Sequence, residues 1–192
     1  GGPALLVGAP WCEDGNLYNA ALLLDDGEIA AVRYKYNLPN YGVFDEKRVF
    51  AAGPLPGPVN MRGVRLGIMI CEDMWEGEVA ECLKESGAEI LVVINGSPYV
   101  VDKWDMRMNL AVARVRESGL PLIYVNQVGG QDELCSTVPR SCSAPITGCV
   151  SSAPVGARVC CPPSGAVTAT SGAARRRKSR RRRKDPKAFT TR

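Results

Sequence analysis

Through residue 134, short apolar runs alternate with Gly, Pro and acidic residues, and the spacing of the apolar positions switches between two periods. Ala4 to Val7 reads as a short apolar strand. Ala20-Ala21-Leu22-Leu23-Leu24 and Ile29-Ala30-Ala31-Val32 flank Asp25-Asp26-Gly27, a hairpin-turn signal, and Lys35 follows the second of these strands. From Asn37 to Gly63, Pro and Gly are frequent and no period holds, which predicts a long ordered excursion of the kind that carries sites. Val64 to Ile70 is a buried-strand run that stops at Cys71. Trp75, Val79, Cys82 and Leu83 then share one helical face, with Gly87 as the stop. Ile90 to Ile94 is the next strand. Trp104, Met108, Ala111, Val112 and Val115 mark a second amphipathic helix closed by Gly119 and Pro121, and Leu122 to Val125 is a further strand. Strands alternating with helices predict an α/β sandwich. From Cys135 onward no period is visible.

Charge divides the chain at the same place. Residues 1–134 hold 11 Lys/Arg against 19 Asp/Glu, and residues 135–192 hold 13 against 1, so the net +4 of the whole describes neither part. The basic surplus concentrates in Arg175-Arg176-Arg177-Lys178 and Arg180-Arg181-Arg182-Arg183-Lys184, which taken alone predicts a disordered tail able to bind nucleic acid through phosphates. The 8 cysteines show no C-x-x-C spacing, so no zinc site is expected. No run is long enough to span a membrane and the start carries no basic-then-apolar leader pattern, so a reduced, cytoplasmic setting is expected.

Cys71 is the candidate nucleophile. It ends an apolar strand and is followed by Glu72 and Asp73. The chain has no histidine, so a reactive cysteine needs another cation to favour its thiolate, and Lys35 is the candidate. Taken one at a time, these residues have ordinary readings: Cys71 as a small buried hydrophobe, Lys35 as a solvated edge charge, Glu46 as a surface residue beside Lys47 and Arg48, Trp75 and Trp104 as core or interface aromatics.

Four blocks in order carry more. They are Lys35-x-x-Leu38-Pro39-Asn40-Tyr41-x-Val43-Phe44-Asp45-Glu46-x-Arg48-x-Phe50, Ile70-Cys71-Glu72-Asp73-x-Trp75, Asn95-Gly96-Ser97-Pro98-Tyr99 with Lys103 and Arg107, and Tyr124 to Leu134. Over residues 1–134 the chain resembles the nitrilase (carbon-nitrogen hydrolase) superfamily, and within it the glutaminase domain of glutamine-dependent NAD synthetases. The resemblance implies an α-β-β-α sandwich, incomplete at both ends. It implies that Cys71 attacks the amide of L-glutamine to give a glutamyl thioester and ammonia, while Lys35 and the backbone N–H of Glu72 stabilise the oxyanion. Glu46 matches an acid that orients the lysine and substrate, and Tyr41, Ser97 and Lys103 match positions that hold glutamine. The resemblance further implies no cofactor for the amidase itself, ATP and Mg in a synthetase domain not found in this sequence, and a homo-oligomeric full-length protein.

The chain departs from the pattern in two places. The family's general-base glutamate lies well ahead of the lysine, and Glu13 and Glu28 fall in loop or hairpin positions that do not match it. Base catalysis contributes roughly a hundredfold to ten-thousandfold, so little glutaminase activity is expected of the 192 residues alone. After Leu134 the family reads Val-Phe-Asp-Gly-x-Ser-Phe, whereas this chain reads Cys135-Ser136-Thr137-Val138-Pro139-Arg140-Ser141-Cys142. Codons for these residues, re-read one base earlier, permit the family's residues, so residues 135–192 are expected to be a disordered basic tail translated out of frame. Nucleotide sequencing across codon 134 tests this, and an unbroken frame in related copies of the locus removes the idea. The alternatives are a nitrilase-like amidase acting on another small amide, and a basic-tailed nucleic-acid-binding protein. The acidic balance of residues 1–134 opposes the second.

Overall fold

The structure is a computed structural model that describes residues 2–98, 103–127, 129–131, 134–136, 141–144 and 148–152; of residues 103 and 104, and of those beyond 127, it describes the backbone only. The chain divides into two units, Gly1–Cys161 and Pro162–Arg192, and the second lies wholly outside the described residues, as does the basic run 175–184.

Two-residue turns build the first sheet. β1 (Leu5–Glu13) and β2 (Asn16–Asp25) are joined through Asp14-Gly15, and β2 and β3 (Glu28–Tyr34) through Asp26-Gly27. All four turn residues have positive φ (48°, 78°, 54° and 86°), the geometry that matches strand twist and favours Asp-Gly. The sequence predicts only the second hairpin and ends its first strand at Val7. β1 runs on to Glu13 despite Gly8 and Pro10 because it is an edge strand, where a missing N–H need not break a ladder. Tyr18 and Tyr34 stack at 4.2 Å and 17°, bracing the end of β3 from which Lys35 leaves.

A loop containing α1 (Glu46–Val49) leads to β4 (Val59–Met61) and β5 (Val64–Ile70). A 3-10 turn (Cys71–Met74), α2 (Gly77–Glu85), β6 (Ile90–Asn95), α3 (Lys103–Ser118) and β7 (Leu122–Asn126) follow. β5, β6 and β7 are parallel neighbours, with α2 and α3 as the crossovers. Alternation along β5 splits the core in two. Leu66, Ile68 and Ile70 pack with Ala21 and Leu23 of the first sheet, while Met69 joins Leu91, Val93, Leu122 and Tyr124 against Val79, Ala80 and Leu83 of α2 and Ala111 and Val115 of α3. Gly67 lets α2 approach, since a Cβ there would meet Leu91, Ala88 and Leu83 at 2.9–3.2 Å.

Sheet, sheet and helix pair thus form three stacked layers of a nitrilase-like α/β sandwich. The face of the first sheet away from the core exposes Leu5 (53%), Val7 (39%) and Ile29 (48%). The buried face of α3 is turned from the one the apolar pattern predicts. Arg107, Arg114 and Ser118 are buried with Ala111 and Val115, because both guanidinium groups reach backbone or side-chain acceptors.

Beyond β7 the structure has β8 (Gly129–Gln131) paired with β9 (Leu134–Ser136), and, where the sequence shows no pattern, β10 (Ser141–Ala144) and β11 (Gly148–Ser152) added to the free edge of β7. An edge ladder is made by backbone groups, so Ser, Cys and Ala residues pair without an apolar period to announce them. The remaining residues of 135–192 lie outside the described ones.

Candidate active site

The three parallel strands end together, at Ile70, Asn95 and Asn126, and open α/β sheets place sites at such carboxyl ends. Cys71 sits on the tightest of these ends. Its φ is +49°, in the left-handed region that costs a side-chain-bearing residue about 1–3 kcal/mol and that marks sites where the surroundings impose the backbone. The 3-10 turn then begins. In a first helical turn the N–H groups have no intrahelical partner, which leaves the Glu72 N–H for another acceptor.

Lys35 lies across from this turn and is the reverse of a solvated edge charge, being 1% exposed. Its backbone is held on both sides: its N–H donates to the Asn19 carbonyl and its carbonyl accepts from the Gly53 N–H, each at 2.8 Å. Its ammonium donates to Glu46 Oε1 at 2.7 Å, and Glu46 Oε2 accepts from Asn19 Nδ2 at 3.4 Å. Glu46 is brought there by α1, whose entry is fixed by the Glu46 N–H donating to the Pro39 carbonyl at 3.1 Å. The long excursion therefore exists, in part, to deliver one carboxylate to one buried ammonium.

Burial pushes the Cys71 thiol up to about 11, against the pull of the Lys35 and Arg107 cations and with a push from the Glu72 and Glu46 carboxylates. At neutral pH only about one thiol in ten thousand is then ionised. Lys35 acts in the direction expected from the sequence, but desolvation outweighs it, and the resting group is the thiol.

Of the residues matched to glutamine binding, Tyr41 is half-exposed and its hydroxyl donates to Glu72 Oε1 at 2.6 Å; burial, then this bond, raises its phenol well above the usual range. Ser97 is buried. Both its backbone groups are clamped by Asn126, whose Oδ1 accepts from the Ser97 N–H at 2.9 Å and whose Nδ2 donates to the Ser97 carbonyl at 3.1 Å. Arg107 Nη2 donates to Ser97 Oγ at 2.7 Å and to the Pro98 carbonyl at 2.6 Å. With Oγ already accepting from Arg107, the Ser97 hydroxyl hydrogen is free to point at an oxygen acceptor. Lys103 opens α3, and its side chain and Tyr99 lie outside the described residues.

The sequence blocks contain Asp73, Asn126 and Arg107 but assign them no role, and Asn19 lies outside them. Asp73 is 1% exposed and accepts from three backbone N–H groups: Tyr36 at 3.2 Å and Asn37 at 2.8 Å on Oδ1, and Ile70 at 2.9 Å on Oδ2. An acidic residue two places beyond a candidate nucleophile was the available signal. No group of three or more His, Cys, Asp or Glu suited to a metal occurs among the described residues, and no helix among them is long and apolar enough to cross a membrane.

Comparison with known proteins finds relatives by sequence and by structure. The chain is 48% identical over 132 residues to the glutamine-dependent NAD(+) synthetase of Rhodobacter capsulatus, an alignment that takes in 69% of this chain and 24% of the relative. It spans about a quarter of the length of such curated relatives. Among solved structures it matches the glutamine-dependent NAD+ synthetase from Acinetobacter baumannii in complex with ADP, with a TM-score of 0.74 and 36% identity over 79% of this chain and 29% of that one. It also matches an amidase of the nitrilase superfamily from Nesterenkonia sp. AN1, with a TM-score of 0.68 and 25% identity over 78% of this chain and 58% of that one. A variant of that amidase was solved with acrylamide added to its active-site cysteine. The family model for carbon-nitrogen hydrolases matches residues 2–155, and this chain therefore belongs to the carbon-nitrogen hydrolase family.

Proposed function

We propose that the chain is the glutamine-hydrolysing part of a glutamine-dependent NAD synthetase, with Cys71 as nucleophile. Sγ attacks the side-chain amide carbon of L-glutamine as the thiol proton leaves. The carbonyl oxygen becomes an oxyanion beside the Lys35 ammonium and the Glu72 N–H, and removing one such donor typically lowers the rate roughly a hundredfold to a thousandfold. Collapse breaks the C–N bond, ammonia departs with the transferred proton, and a glutamyl thioester remains. Water then adds to the thioester, glutamate leaves, and the thiol is regenerated with a proton from that water. Glu46 orients Lys35, while Tyr41, Ser97 and Lys103 hold the substrate. The Ser97 hydroxyl, polarised by Arg107, suits a carboxylate oxygen, which glutamine has and simple amides lack.

The observation that carries this reading is the left-handed Cys71 turn set against the buried Lys35–Glu46 pair. Identity of 48% to a glutamine-dependent NAD(+) synthetase, against 25% to the nitrilase-superfamily amidase, supports glutamine as the amide. In the complete enzyme the ammonia would serve a synthetase part that amidates deamido-NAD with ATP and Mg2+, in a homo-oligomer. The amidase part needs no cofactor of its own.

A thiol at about 11 needs a base to take its proton, and Glu46 is already engaged by Lys35 and Asn19. The 192-residue chain is accordingly expected to release little ammonia, so the test is covalent. The chain is treated with a γ-diazoketone analogue of glutamine and mapped by peptide mass. The expected result is modification at Cys71 that glutamine, and not acetamide, suppresses. Equal labelling of Cys12 and Cys82 without protection overturns the reading, protection by acetamide alone favours the small-amide alternative, and ammonia release that survives Cys71→Ala removes the nucleophile.

A further inference from the structure

We propose that Asp73 is a positioning residue whose carboxylate ties the backbone just after Lys35 to the backbone just before Cys71, and so fixes the separation of ammonium and thiol. The proposal rests on the reading that Lys35 and Cys71 act together. Lys35 closes the first sheet and Cys71 ends β5 of the second, so the two groups belong to different layers. Packing between layers is apolar and sets no fixed register between strand ends. Hydrogen bonds do. Asp73 Oδ1 takes the N–H groups of Tyr36 and Asn37, and Oδ2 takes that of Ile70, so one side chain bridges the layers with three bonds.

Chemistry explains why the residue is an acid. Three donors converge, and a carboxylate offers about four lone-pair sites, whereas an asparagine offers one oxygen and adds two donors of its own. Burial pushes the Asp73 carboxyl up to about 6, while the N–H groups of Asn37, Ile70 and Tyr36 and the Lys35 charge hold it down, so it is ionised at neutral pH. The groups facing the Cys71 thiol are Lys35, Glu72, Glu46 and Arg107. Asp73 grips Tyr36, next to Lys35, and Ile70, next to Cys71, so a loosened grip lets ammonium and thiol drift apart and weakens the pull of Lys35 on the thiol.

The test measures Cys71 alkylation by iodoacetamide against pH in the full chain, in Asp73→Asn, in Lys35→Gln and in the double variant. Asp73→Asn is expected to move the thiol midpoint upward and to slow alkylation below it by roughly fivefold to tenfold, since one pH unit of midpoint is tenfold in thiolate. In the Lys35→Gln background the same change is expected to alter the rate by less than about twofold, because the group it acts through is gone. An unmoved midpoint, or an equal effect in both backgrounds, overturns the proposal. Should Asp73→Asn fail to fold, the wild-type chain answers instead: the amide protons of Tyr36, Asn37 and Ile70 must follow one shared carboxyl titration, and separate or absent titrations overturn it. Neither measurement uses substrate. Failure of the diazoketone to label Cys71 with the Asp73–Lys35 coupling intact removes only the glutamine reading, and the converse removes only the tie.

Discussion

Glu46→Gln should destabilise the fold more than Lys35→Met, whereas the exposed-charge reading of these residues gives almost no cost for either. The pair is asymmetric: the Lys35 side chain is 1% exposed and Glu46 18%. Neutralising Glu46 strands an ammonium where water cannot reach it, and breaking a buried pair from one side costs about 3–5 kcal/mol. Removing Lys35 leaves a carboxylate that retains some water and the Asn19 amide, so its cost should fall to about 1.5–3 kcal/mol, the worth of one lost charge-assisted bond. The double variant should recover part of the Glu46→Gln loss, because no buried cation remains. Urea unfolding followed by tryptophan fluorescence measures all three, compared at equal slope so that midpoints report stability. At about 2–4 °C per kcal/mol for a domain of this size, the Glu46→Gln midpoint should drop by roughly 6–20 °C on heating. A Glu46→Gln variant within about 0.5 kcal/mol of wild type, the range of an ordinary surface substitution, would show that the ammonium is not buried against this carboxylate.

Three further outcomes follow from particular residues. Cys71→Gly should be more stable than Cys71→Ala by about 1 kcal/mol, because glycine adopts the left-handed turn without the Cβ penalty; equal unfolding midpoints would mean the turn is unstrained. Gly67→Ala should cost about 1–3 kcal/mol by forcing a methyl onto Leu91, Ala88 and Leu83, and a neutral result in the same melts would mean α2 sits farther from β5. Asp73 has a folded value near 6 against an ordinary 3.8, so the folded state holds this proton more tightly than the unfolded chain. Its contribution is full below about pH 4 and is lost as pH rises through about 6. The stability difference between wild type and Asp73→Asn should therefore change by roughly 1–3 kcal/mol between these limits, and urea melts at both ends showing a constant difference would refute the assignment.

The local signals were legible and carried the fold a long way. Asp26-Gly27 announced its hairpin, the β-branched and apolar run 64–70 announced β5, and the positions of Val79 and Leu83 announced the buried face of α2. Asp14-Gly15 carried the same turn signal and was hidden by Gly8 and Pro10, which break an apolar period without breaking an edge strand. The arginines of α3 were hidden for the opposite reason. A charged residue counts as outward in any periodic reading until an acceptor is seen opposite it, and the acceptors of Arg107 lie on the loop after β6.

By itself the sequence determined β5, β6, β7, the hairpin at Asp26-Gly27 and the two crossover helices, and that a cysteine stands at the end of an apolar strand, because period, turn residues and apolar runs are properties of neighbours along the chain. Only the tertiary structure decided that Lys35 is buried, that Glu46 answers it from a loop eleven residues on, that Cys71 is held in a left-handed turn as a thiol, and that Asp73 joins the two layers. These depend on which groups face each other across layers and on how much water remains between them. Desolvation and hydrogen-bond convergence are set by residues far apart in sequence, and no pattern along the chain encodes them.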